Sequence, residues 1–239
     1  LRAACALFFV LALAVSAASG VWLRRAFAPL SGTLALLGLL GAAFGAWNHS
    51  PESFGLCCAV LAWAGALAIS KLQREVDWLQ SGVPTSLKIS SAGSALFGAV
   101  LMLRGLVFWP AGAAHGFAVA GWVLLSLLMW QVASAGVTNN SRLRNIWPSL
   151  LSAIALSFAA AHGMRWSDFS FTQFGPGLLA LALILLGLRE VVAFIENQER
   201  GEEAETPKLQ SGRCAGLVYG VLLNAFLGLG FGALGALQG

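Results

Sequence analysis

The chain has 239 residues, 58% of them hydrophobic and 10% charged, with a mean hydropathy of +0.80. Fourteen Lys and Arg with ten Asp and Glu are too few to cover a soluble domain, so lipid must solvate most of the chain. The net charge of +4 is spread over loops, which gives no footing for a nucleic-acid partner.

A hydrocarbon core of about 30 Å calls for roughly 20 apolar residues per helix. Eight such segments follow one another, at 4–23, 30–47, 54–72, 89–109, 115–137, 148–163, 175–195 and 213–236. The predicted class is therefore all-α, a polytopic integral membrane protein. The first segment also has the look of a secretory signal, with Arg2, an apolar run and then small residues. Leu1 in place of Met reads as an N-terminus trimmed after a targeting peptide. The second and sixth segments are short, and the second and third are also compatible with a re-entrant hairpin. Cys57 and Cys58 fall inside the third and, like Cys5 and Cys214, fit no CxxC or zinc spacing, so they read as small packing residues.

The fourth segment carries Ser90, Ser94 and Gly98 at four-residue spacing, with Arg104 near its end, placed to snorkel. The fifth contains Gln131. After the seventh comes an acidic cytoplasmic loop over 197–212, overlapping the run "ENQERGEEAETPK" at 196–208, whose Glu residues read as a solvated linker. The eighth holds Gly216, Gly220, Asn224, Gly228 and Gly232, a stripe on which another backbone can approach closely.

Eight crossings put eleven Lys and Arg, from Arg24 to Arg213, on one side and only Arg2, Arg104 and Arg165 on the other. Basic residues concentrate in the cytoplasm, so both termini are expected on the non-cytoplasmic side, of a bacterial inner membrane or an organelle membrane. The sequon at Asn139 lies on the cytoplasmic side, where a glycan would contradict this orientation.

Five ordered correspondences suggest a tandem duplication of four spans. "REV" recurs at Arg74 and Arg189, and Trp47–Gly55 answers Trp166–Gly175. Val21 answers Val137, Arg25 and Pro29 answer Arg144 and Pro148, and "FGAVL" at Phe97 answers "YGVLL" at Tyr219. The expected units are 1–112 and 113–239. An even number of spans gives both the same orientation, with a pseudo-twofold axis along the membrane normal.

Candidate functional residues follow from polarity. Asn224, Gln131 and Arg104 are the first candidates for a substrate path between the halves, with helix packing as the simpler role for Asn224. His49, His115, His162, Arg165 and Asp168 form an expected outer-face polar group, together with Glu52. Neutral imidazole is a ligand for haem iron, a pigment magnesium or a transition metal. The spacing matches no metal motif, however, and the histidines also read as interfacial groups beside an aromatic belt that includes Trp47, Trp109 and Trp166.

No HExxH, GxSxG, P-loop or paired carboxylates occur in the spans, so no enzyme is expected. A membrane lipid enzyme using His49, His162 and Asp168 is the least favoured reading. The leading expectation is a small-solute transporter or permease component. The second is a non-catalytic accessory subunit of a membrane complex, binding lipid or pigment and meeting itself or other proteins through Gly-rich faces.

Overall fold

The computed structural model describes residues 7, 10–16, 18, 28–46, 50–75, 83–108, 112–135, 142–199 and 212–238. Eight helices and no strand occur among these residues. They are α1 (10–16), α2 (Ala28–Ala46), α3 (Pro51–Glu75), α4 (Val83–Phe108), α5 (Ala113–Ala135), α6 (Arg142–Trp166), α7 (Phe171–Glu199) and α8 (Gly212–Gln238).

Among the described residues, six helices are long and apolar enough to cross a membrane, with spans at Pro51–Ile69, Leu87–Val107, Ala113–Ser134, Ile146–Trp166, Thr172–Glu196 and Arg213–Ala236. The protein is thus a helical, multi-pass integral membrane protein, and these six are the expected third to eighth segments. The second yields a shorter apolar stretch, Gly32–Gly41, and much of the first lies outside the described residues. Burial follows the logic of lipid as solvent: the interior is mostly Ala, Gly and Ser, while Leu, Val and Phe dominate the exposed faces. Exposed Trp147 and Trp166 stand at the two ends of α6. The nineteen residue steps from one to the other rise about 28 Å, close to the thickness of a hydrocarbon core, so they sit where aromatic belts form.

The contacts divide the chain into two compact units, Leu1–Leu124 and Leu125–Gly239. The division falls inside α5, twelve residues after the expected break. In unit 1, α4 packs mainly on α3, less on α2, and α2 meets α3 least. In unit 2, α8 packs mainly on α7, less on α6, and α6 meets α7 least.

Helix ends follow local chemistry. Ser50 caps α3, its Oγ accepting from the Ser53 amide at 3.2 Å, and Pro51 occupies the first helical position, where no amide hydrogen is needed. Ser170 begins α7 with the glutamine half of a capping box: the Ser170 amide donates to Gln173 Oε1 at 2.9 Å, while the Gln173 amide donates to the Ser170 backbone O at 3.0 Å. Pro148 and Pro176 lie near the starts of α6 and α7, where a missing amide costs less than at mid-helix.

Two expectations change. The acidic loop does not begin at 197, because α7 continues to Glu199. The two "REV" copies are not at equivalent helix ends. Arg74 and Glu75 are the last residues of α3, whereas Arg189 and Glu190 lie inside α7, ten and nine residues before its end. α7 has 29 residues, about 43 Å at 1.5 Å each, so its last turns outrun the hydrocarbon core. Arg189 and Glu190 pair with each other near that boundary.

Candidate functional site

The most deeply built polar feature is the seam between α6 and α8 in unit 2. An alanine Cβ at Gly216 would lie 2.7 Å from Ile146 O and 2.8 Å from Leu150 N, with Ser149 Oγ nearer still. At Gly220 it would strike Ala153 Cβ. One turn on, Asn224 Nδ2 donates to Ser157 Oγ at 2.8 Å. Each α8 residue thus meets the α6 residue 67 positions earlier, so the helices run parallel. The eighth-span stripe faces a second one, Ser149, Ala153 and Ser157, also at four-residue spacing. That partner stripe escapes notice in the sequence, because Ala and Ser fill α6 at many other positions as well.

Asn224 is fully buried. Its second amide hydrogen goes to Gly220 O at 2.9 Å, and Ser157 Oγ itself donates to Ala153 O at 2.9 Å. Both neighbours accept, which fixes the amide orientation: Nδ2 faces Ser157 and Gly220, and Oδ1 points away. Oδ1 is buried without a hydrogen-bond partner. A buried serine pair, Ser126 Oγ with Ser152 Oγ at 2.9 Å, ties α5 to α6.

Beyond Asn224, α8 turns its small residues to α7. Added methyl groups at Gly175 and Gly228 would meet each other's backbone: Gly228 O lies 2.8 Å from the first, and Gly175 O lies 3.0 Å from the second. Unit 1 repeats this reciprocal contact at Gly55 and Gly98, with 3.1 Å to Gly98 O and 2.9 Å to Gly55 O. Phe54 stacks edge-on to Phe97 and Phe174 tilts against Phe231, both with ring centroids 5.9 Å apart. By contact, then, Gly98 answers Gly228, although the "FGAVL" and "YGVLL" match pairs it with Gly220. In that register Ser94, one turn earlier on α4, answers Asn224. Ser94 is also buried, and its Oγ also lacks a partner.

Of the three path candidates only Asn224 is buried. Gln131 is exposed on α5. Arg104 is exposed on α4, on the same lipid-accessible stripe as Ile89, Leu96, Val100 and Val107 and near the span's end, as a snorkelling cation should be. No described hydrogen bond joins any two of the three.

Among the outer-face candidates, His162, Arg165 and Asp168 follow one another at the end of α6. His162 and His115 are buried, the latter in the first turn of α5, and His49 lies outside the described residues. The Arg165 guanidinium sits 5.1 Å from the centre of the Phe174 ring. Asp168 is exposed and adopts φ 55°, and its amide donates to Arg165 O at 3.1 Å while the Phe169 amide donates to Met164 O at 2.9 Å. These two bonds define a Schellman C-cap, with Asp168 at the left-handed position usually held by Gly. Asp168→Gly is therefore expected to leave stability equal or raised by up to about 1 kcal/mol, and Asp168→Val to lower it by about as much. Denaturant midpoints in micelles measure both.

No group of three or more His, Cys, Asp or Glu that could hold a metal ion occurs among the described residues. Cys57, Cys58 and Cys214 are in no disulfide. Sequence reasoning placed Glu196 in a solvated linker, but it belongs to α7 and forms an ion pair across to α8. Its Oε1 lies 3.1 Å from Arg213 Nε, the two side chains being 12% and 17% exposed. The angle is not that of a directed hydrogen bond, and Oε2 accepts a weak bond from Cys214 Sγ at 3.8 Å. Truncating either charge strands the other, so Glu196→Ala or Arg213→Ala should each cost about 2 kcal/mol. The paired Glu196→Gln, Arg213→Met variant should recover part of that loss, as read in a double-mutant cycle. Among the described residues, the other buried acid is Glu52, in the first turn of α3.

No family model, curated protein or solved structure matches this chain.

Proposed function

We propose that the chain is a non-catalytic accessory subunit of a larger membrane assembly, built from two related four-helix units with both termini on the non-cytoplasmic side. The observation that carries the reading is the state of Asn224. The polar residue best placed for a transport path instead uses both amide hydrogens within unit 2, one on Ser157 of α6 and the other on Gly220 O of its own helix. The other two path candidates are exposed on α5 and α4 rather than gathered with it. The duplication is supported by three features common to the units: the same ranking of helix contacts, a serine-capped third helix followed by Phe-Gly, and a reciprocal glycine contact on the fourth.

The test is solubilisation of native membranes in mild detergent, followed by native mass measurement. A particle of fixed stoichiometry, containing this chain and other polypeptides, is the expected result. A chain that migrates alone, and that reconstituted in vesicles takes up a small solute in a manner abolished by Asn224→Leu, overturns it. That outcome is the transporter reading, which has one observation of its own: the unpartnered Asn224 Oδ1 and Ser94 Oγ are acceptors available to a solute.

A further inference from the structure

We propose that Glu52 is a cation-binding carboxylate, so that the first turn of α3 in unit 1 holds an exchangeable small cation, either a proton or a monovalent metal ion. Glu52 lies within the apolar span Pro51–Ile69, is 1% exposed, and its Oε2 has no hydrogen-bond partner. Burying a carboxylate without a counter-charge is costly, and ionisable residues retained in spans mark ion and proton sites.

The helix end does not supply the missing partner. A carboxylate in a first turn is ordinarily stabilised by that turn's free amide hydrogens. Here Pro51 has none, and the Ser53 and Phe54 amides both donate to Ser50. The described side chains of α2 and α4 bring no buried charge to it either. Glu52 shares its face of α3 with Gly55, Ala59 and Ala62, which pack against α4. Because α4 runs antiparallel to α3, the buried residues level with Glu52 are Met102 and Gly105, a thioether and a bare backbone. Lys88 and Arg104 of α4 are exposed, and α2 has no charged residue at all. His115, in the first turn of α5, is the other buried titratable group at a helix start in this unit.

The donor set selects the ligand class. The unpartnered carboxylate oxygen of Glu52 is itself a hard donor. Such a donor suits a proton or an alkali cation, and no cluster of His, Cys, Asp or Glu for a transition metal occurs among the described residues.

The full chain in micelles is treated with a hydrophobic carbodiimide, and labelling of each carboxyl is followed by peptide mass. Exposed Glu190 in the same chain is the internal reference, its side chain being 61% exposed. If the ligand is a metal ion, Glu52 labels in choline buffer and Na+ or K+ at ten times its dissociation constant slows that labelling about tenfold. Glu190 labelling is then unaffected by the ion. If the ligand is a proton, Glu52 labels faster than Glu190 and alkali ions have no effect. Glu52→Gln removes the adduct, and Glu52→Asp keeps it if the site tolerates a shorter arm. Labelling of Glu52 that is absent, or no faster than that of Glu190 and insensitive to ions, overturns the proposal.

Discussion

Gly216→Ala and Gly175→Ala are expected to lower stability by about 2–3 kcal/mol each, whereas Gly187→Ala, Gly230→Ala and Gly232→Ala are expected to leave it unchanged or slightly raised. The difference lies in what the new methyl group meets. At Gly216 it meets Ile146 O and Leu150 N, and at Gly175 it meets Gly228 O and Gly232 N, both 2.8 Å away. Backbone cannot swing aside as a side chain can, so the helices must separate and lose contacts along the whole seam. At Gly187, Gly230 and Gly232 nothing lies within 4 Å. There an alanine brings only its better helix propensity. Gly232 makes the test sharp, because by spacing it belongs to the same stripe as Gly216. Denaturant midpoints in micelles for the five variants decide it. Equal losses at Gly216 and Gly232 would show that the stripe acts as a uniform surface rather than through specific contacts.

The architecture was legible where it depends on hydropathy alone. The third to eighth segments needed only length and composition, and the Ser-Pro and Ser-x-x-Gln starts of α3 and α7 are local signals. What escaped depends on partners. The sequence shows the stripe of α8 because Gly is conspicuous. It hides the complementary Ser149, Ala153 and Ser157, because every face of α6 is rich in small residues. The "FGAVL" match placed Gly220 opposite Gly98, since sequence similarity cannot sense that Gly220 meets α6 while Gly228 meets α7. Asp168 looked like an interfacial functional acid because a left-handed cap is usually written with Gly. Glu52 was read as one of several polar groups at a membrane surface. Only the contacts of α3 with α4, and the amides already taken by Ser50, single it out.

Asn224→Asp is expected to cost about 3 kcal/mol, and considerably more than Asn224→Ala, although Asp matches Asn in shape. The amide donates both its hydrogens, one to Ser157 Oγ and one to Gly220 O. A carboxylate in the same place donates nothing and brings negative charge against the Gly220 carbonyl, in a seam with no cation to answer it. Burial of an unpaired acid in a span carries a penalty of about 2.5–3.5 kcal/mol on insertion scales. Asn224→Ala instead removes an interhelical bond that is worth about 1 kcal/mol and leaves Ser157 still bonded to Ala153 O. The ordering separates packing from transport, since a site that admits a cation through Oδ1 would tolerate Asp better than Ala. Unfolding midpoints of Asn224→Asp, Asn224→Ala and Ser157→Ala, with the Asn224→Ala, Ser157→Ala double variant closing a cycle, measure it. A coupling near zero between Asn224 and Ser157, or an Asp variant as stable as the wild type, would remove the hydrogen-bonded seam as the reason Asn stands at this position.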